Sequence, residues 1–162
     1  MHKIAILLVA RSAGGMEKRF TNLMKFLVNK FSNPNIIYYF YISRSLANRM
    51  GVRYLASTPN IRIILYGLGN LSNKKIFRLI DYCLLATNLI IHRYRYTTIH
   101  YVTQSSLKMR YLSSPKIKVH SFVASTYVEA FSNSKIYNRI KNDLFRIDCL
   151  DENIKEKLLT NR

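Results

Sequence analysis

An unbroken apolar run at residues 4–10 stops at the adjacent pair Gly14-Gly15 and gives way to an amphipathic stretch at residues 16–31. A run without polar alternation suits a strand buried on both faces, as in parallel sheets. In the stretch that follows, Met16, Phe20, Leu23, Met24, Leu27, Val28 and Phe31 recur at helical spacing. Lys18, Arg19, Thr21, Asn22, Lys25 and Asn29 occupy the other faces. Ser32-Asn33-Pro34 ends the helix. Strand, glycine turn and helix are the opening of a βαβ unit, and they commit the chain to a crossover connection.

The rest of the sequence repeats the alternation. Strands are predicted at residues 35–42, 61–66, 98–102, 116–124 and 144–150. Helices are predicted at 44–55, from Ser72 to about residue 94, at 105–112, at 135–142, and after Asp151. In the helix after Ser72 the polar residues Lys74, Arg78, Asp81, Asn88 and His92 share one narrow stripe. The remainder is apolar, which predicts a mostly buried helix. Strands alternating with helices imply an α/β fold, a single Rossmann-like three-layer domain over residues 1–162 with a mostly parallel sheet. Such sheets bind ligands beyond the carboxyl ends of their strands.

Composition narrows the function classes. A chain of 162 residues that is 49% hydrophobic suits one domain with a real core. The most apolar later segment, residues 79–91, holds Asp81, Thr87 and Asn88 and is shorter than the ~20 residues of a membrane span. With no recognisable signal peptide, the expected location is cytoplasmic. Cys83 and Cys149 lie far apart without CxxC spacing, so both are expected as buried free thiols. His2, His92, His100 and His120 show no ligand spacing, and no metal site is expected. Lys plus Arg number 26 against 8 acids, a net charge of +18. The excess sits in residues 1–120, with 19 basic and 2 acidic side chains, Glu17 and Asp81. Such a body attracts polyanions: nucleic acid, an anionic leaflet, or phosphorylated lipids and nucleotides. Charge alone does not choose among them, and a solvated basic surface satisfies it equally.

The candidate site residues follow the strands. Gly14 and Gly15 let backbone N–H groups approach an anion at a helix N-terminus. The pattern is neither GxGxxG nor a P-loop, so a phosphate cradle and a plain tight turn both remain open. His120 falls within or near the end of the fifth strand, as a packed strand histidine or a hydrogen-bonding group at the strand end. His100 and Gln104 belong to the fourth strand and the loop after it, where a polar pocket can form. Gly67-x-Gly69 reads as a turn. Glu129 has no carboxylate partner, which argues against paired-carboxylate hydrolysis.

The run IAILLVARSAGGMEKRFTNLMKFL resembles the start of GT-B glycosyltransferases of the large retaining family that includes many capsule and lipopolysaccharide enzymes. Gly14, Gly15, Met16, Glu17, Lys18, Arg19, Asn22 and Leu23 match its opening in order. The segment FRIDCLDENIKEKLL, residues 145–159, is similar to the family's strand and following helix, with Asp151 where Ser is usual. The resemblance implies an acceptor-side N-terminal domain. Arg11, Gly14, Gly15 and Glu17 would line the cleft near the donor diphosphate. His120 would be the catalytic histidine facing the acceptor, and His100 and Gln104 would bind the acceptor. It implies a nucleotide-sugar as substrate, no separate cofactor, and a glycan or lipid-linked acceptor in cell-surface polysaccharide synthesis. A peripheral place at the inner face of the membrane goes with it. It also implies a C-terminal donor-binding domain or subunit, because the donor lysine or arginine and the paired-glutamate motif are absent from this sequence. The chain alone is therefore expected to transfer little or no sugar. The rival readings are a basic Rossmann-like protein that binds nucleic acid, and a small nucleotide- or phosphate-binding enzyme complete in itself.

Overall fold

The computed structural model describes residues 1–10, 14–30, 33–52, 55, 58–69, 75–92, 94–107, 109–112, 117–122, 146–149, 152 and 156. Its strands are β1 (His2–Leu8), β2 (Ile36–Ser43), β3 (Ile61–Tyr66), β4 (Thr98–Tyr101), β5 (Ile117–Phe122) and β6 (Arg146–Cys149). They form one sheet in the order β3-β2-β1-β4-β5-β6, and every neighbouring pair is parallel. This is an α/β, Rossmann-like three-layer arrangement, with the strand order of doubly wound dinucleotide folds. The helices are α1 (Gly15–Lys30), α2 (Arg44–Arg49), α3 (Lys75–Ile91) and α4 (Gln104–Leu107), with a 3-10 turn at Arg110–Leu112. The helices expected at 135–142 and after Asp151, and the cap expected at Ser72, lie outside the described residues.

β1 explains its own sequence. Ala5, Leu7 and Val9 pack on one face with Tyr39, Tyr41, Ile99, Tyr101 and the α3 residues Leu85 and Leu89. Ile6 and Leu8 pack on the other with Phe40, Ile42, the α1 residues Phe20, Met24 and Leu27, and Leu46 of α2. A strand with helices on both faces tolerates no alternation. Each fully buried aliphatic or aromatic side chain contributes about 1.5–3 kcal/mol, so Phe20, Met24 and Leu27 alone anchor α1.

Several boundaries differ from expectation for local reasons. β1 begins at His2, whose N–H donates to Asn35 O at 2.7 Å, and its pairing with β2 ends at Leu8. The helix expected over 44–55 stops at Arg49, because Gly51 adopts φ +63° and the N–H groups of Gly51 and Val52 turn back to Asn48 O (3.3 Å) and Ala47 O (3.0 Å). The helix expected over 105–112 resolves into α4 and the 3-10 turn. Ser106, Met109 and Leu112 each donate to a carbonyl three residues back.

Two expectations are overturned. Cys83 is exposed, not buried. The mostly buried helix also fails: α3 exposes Ile76, Leu79, Ile80, Leu84, Ile90 and Ile91. The polar stripe instead contains the bonds that tie α3 to the body. Asp81 Oδ1 accepts from Leu68 N–H at 2.8 Å, and Asn88 Oδ1 accepts from the Tyr41 hydroxyl at 2.8 Å. That hydroxyl also hydrogen bonds the Tyr96 hydroxyl, and burial pushes both phenols up from their ordinary range.

Candidate functional site

The topology locates the crevice before any side chain is considered. From β1 the chain runs through α1 and α2 to β3 on one side. It then returns through α3, on the opposite face, to β4 on the other side of β1. The connections therefore diverge between the carboxyl ends of β1 and β4, the switch point where such sheets bind ligands.

Gly14 is the N-cap of α1. Its carbonyl accepts from Lys18 N–H at 3.1 Å, and its own N–H donates to Glu17 Oε2 at 2.9 Å. This is the reciprocal half of a capping box, with a glycine where a hydroxyl residue is usual. A Cβ on Gly14 would lie 2.7 Å from Glu17 Oε2, so glycine is what lets the carboxylate close over the cap. A Cβ on Gly15 would meet nothing within 4 Å. The first turn of α1 is therefore open at Gly15. The N–H groups of Gly15, Met16 and Glu17 precede the first intrahelical bond and point beyond the carboxyl end of β1.

The opposite wall is built by Thr103, which sequence reasoning left out of the site. Its hydroxyl donates to Val9 O at 2.9 Å, tying the end of β4 to the end of β1 across the switch point. The same oxygen accepts from Ser106 N–H at 3.3 Å, while Thr103 N–H donates to Ser106 Oγ at 3.1 Å. Thr103 thus both caps α4 and pins the crevice. The pattern T-x-x-S before a short helix was the available signal. Ser43 does the equivalent for β2: its Oγ caps α2 through Leu46 N–H (3.2 Å) and lies 3.5 Å from Ala10 O.

The structure brings some expected residues together. Gly14, Gly15 and Glu17 stand at the end of β1, and Gln104 opens α4 directly after Thr103. Glu17 is committed to the cap of α1 by its bond to Gly14. His100 lies in the fourth strand, as expected. It is half-buried in β4, opposite Ile6 and Val119, with its ring edge-on to Phe20 at 4.9 Å between centroids. His120 is in β5, opposite Tyr101 and Ile147 and two residues short of the strand's end. His100 and His120 thus stand one row apart on neighbouring strands. Arg11 and Glu129 lie outside the described residues.

No family model matches the chain, and no curated protein matches it. The site therefore stands on its own geometry. Among the described residues, no cluster of His, Cys, Asp or Glu is arranged to hold a metal ion. The hydroxyls of Thr103, Ser106 and Ser43 donate to backbone carbonyls, so it is the N–H groups at the start of α1, on a strongly basic chain, that suit an anionic ligand.

Proposed function

We propose that this chain is the acceptor-side domain of a GT-B-type glycosyltransferase. It would act with a nucleotide-sugar donor on a glycan or lipid-linked acceptor in cell-surface polysaccharide synthesis. The observation that carries the reading is the glycine-capped, open first turn of α1 at the switch point. It coincides with the ordered run Gly14 to Leu23 that resembles that family. In this reading the N–H groups at the start of α1 stabilise the departing diphosphate, where negative charge grows during transfer. Arg11 adds a charge-assisted contact. His120 bonds the acceptor hydroxyl, with Gln104 as a further acceptor contact; His100, packed against Phe20 of α1 and one row away from His120, is left out of the acceptor pocket. A second domain or subunit supplies the donor-binding wall.

The charge of +18 favours a second reading, a basic nucleic-acid-binding protein. Calorimetric titration of the chain with a short-chain prenyl-diphosphate sugar separates the two. The first reading expects saturable binding that His120→Ala weakens roughly tenfold, the upper end for one lost neutral hydrogen bond. Absence of that binding, together with tight RNA or duplex binding that falls steeply with salt, would establish the second. Brisk sugar transfer by this chain alone would contradict the acceptor-side assignment.

A further inference from the structure

α3 packs Leu85 and Leu89 against the sheet but carries a second apolar arc on its outer side. Its bonded polar residues, Asp81 and Asn88, are tied to the body, while Ile76, Leu79, Ile80, Leu84, Ile90 and Ile91 are exposed. Ile76, Leu79 and Ile91 are 65%, 64% and 69% exposed, and Tyr94, just beyond the helix, is 75% exposed. At 100° per residue these positions, with Cys83 and Thr87, fall on one continuous arc with no charged residue in it. The apolar side chains and Tyr94 leave on the order of 700 Å² in water, above the ~300–600 Å² of the largest patch on an ordinary monomer. An exposed apolar arc of that size marks an interaction surface.

Charge selects the occupant. The only acid in α3 is Asp81, already held by the Leu68 amide. Lys75 stands at the start of the helix, and Arg93 and Arg95 follow its end in sequence. A second copy of this chain would bring another +18 against the same face. An anionic bilayer offers an apolar interior and a negative surface together. Among the described residues no helix is long and apolar enough to cross a membrane, so α3, about 25 Å long, would lie in the interface. We propose that the outward arc of α3 docks this chain on an anionic lipid surface. The inference is independent of the glycosyltransferase reading.

The full chain contains no tryptophan, so a single one reports its surroundings. Ile90→Trp on the arc, and Asn48→Trp on exposed α2 as control, are titrated with vesicles of phosphatidylcholine containing one third phosphatidylglycerol, and with phosphatidylcholine alone. The expected result is a blue shift for Ile90→Trp on anionic vesicles, none for Asn48→Trp, and much weaker binding to neutral vesicles. Flotation of the unlabelled protein should fall about tenfold or more in the double variant Leu79→Glu, Ile91→Glu. No blue shift, equal flotation of the double variant, or a dimer in light scattering that the double variant abolishes would each overturn the proposal. The last would make a second copy the occupant.

Discussion

At the residue scale, two contacts organise the crevice and a third holds α3, and each predicts its own loss. Glu17 closes the cap of α1 through Gly14 N–H. Glu17→Ala should lower stability by about 0.5–1 kcal/mol, as for other lost caps, and a urea melt measures it. The same change removes a carboxylate from the helix start, so affinity for inorganic pyrophosphate should rise, not fall. Thr103→Val breaks both the tie to Val9 O and the cap of α4. A cost of about 1–3 kcal/mol is expected, with weakened ligand binding, because the two walls of the crevice are no longer pinned. At Gly67, φ is +85° and an added Cβ would lie 2.6 Å from the Asp81 carboxyl. Gly67→Ala should therefore cost about 1–3 kcal/mol through strain and loss of the Leu68–Asp81 bond, read as a lowered melting temperature.

Elements were legible in the sequence wherever chemistry along the chain decides them. The unbroken apolar run announced a strand buried on both faces, and Gly14-Gly15 announced a backbone-built helix start. Both follow from residues within a few positions of one another. The direction of α3 was not legible in this way. Periodicity reveals that Asp81 and Asn88 share a stripe with Lys74, Arg78 and His92, but not which stripe meets the sheet. That choice depends on distant partners, the Leu68 amide and the Tyr41 hydroxyl, which need acceptors from α3. The same reason hid Thr103: its value lies in Val9 O, which is 94 residues away in sequence. His100 looked like a pocket residue because it lies near a strand end. The structure places Phe20 of α1 against its ring. Asn88→Leu tests the account of α3. It should destabilise the protein despite adding apolar volume, since it strips a partner from the buried Tyr41 hydroxyl, and a thermal melt should show the drop.

Across the whole molecule, the tyrosines set the alkaline limit. Burial is the chief cause that raises Tyr38, Tyr41, Tyr66 and Tyr96 above the ordinary 10.0. A raised folded-state value means the contribution is complete below the unfolded value and is lost as pH climbs through the folded one. Stability should therefore hold up to about pH 10 and fall increasingly steeply above it, which alkaline unfolding followed by circular dichroism would show. The basic charge acts at the same scale, drawing anions toward the molecule without choosing where they bind. That choice belongs to the sheet, whose connections diverge between β1 and β4. The most direct test is an amide chemical-shift map of the isotopically labelled chain, titrated with a nucleoside diphosphate, the departing group of the donor. The largest shifts should fall at Gly14 and Gly15 and from Thr103 to Ser106, on the two walls of the switch point. Largest shifts elsewhere, or none at saturating ligand, would contradict a site at the start of α1.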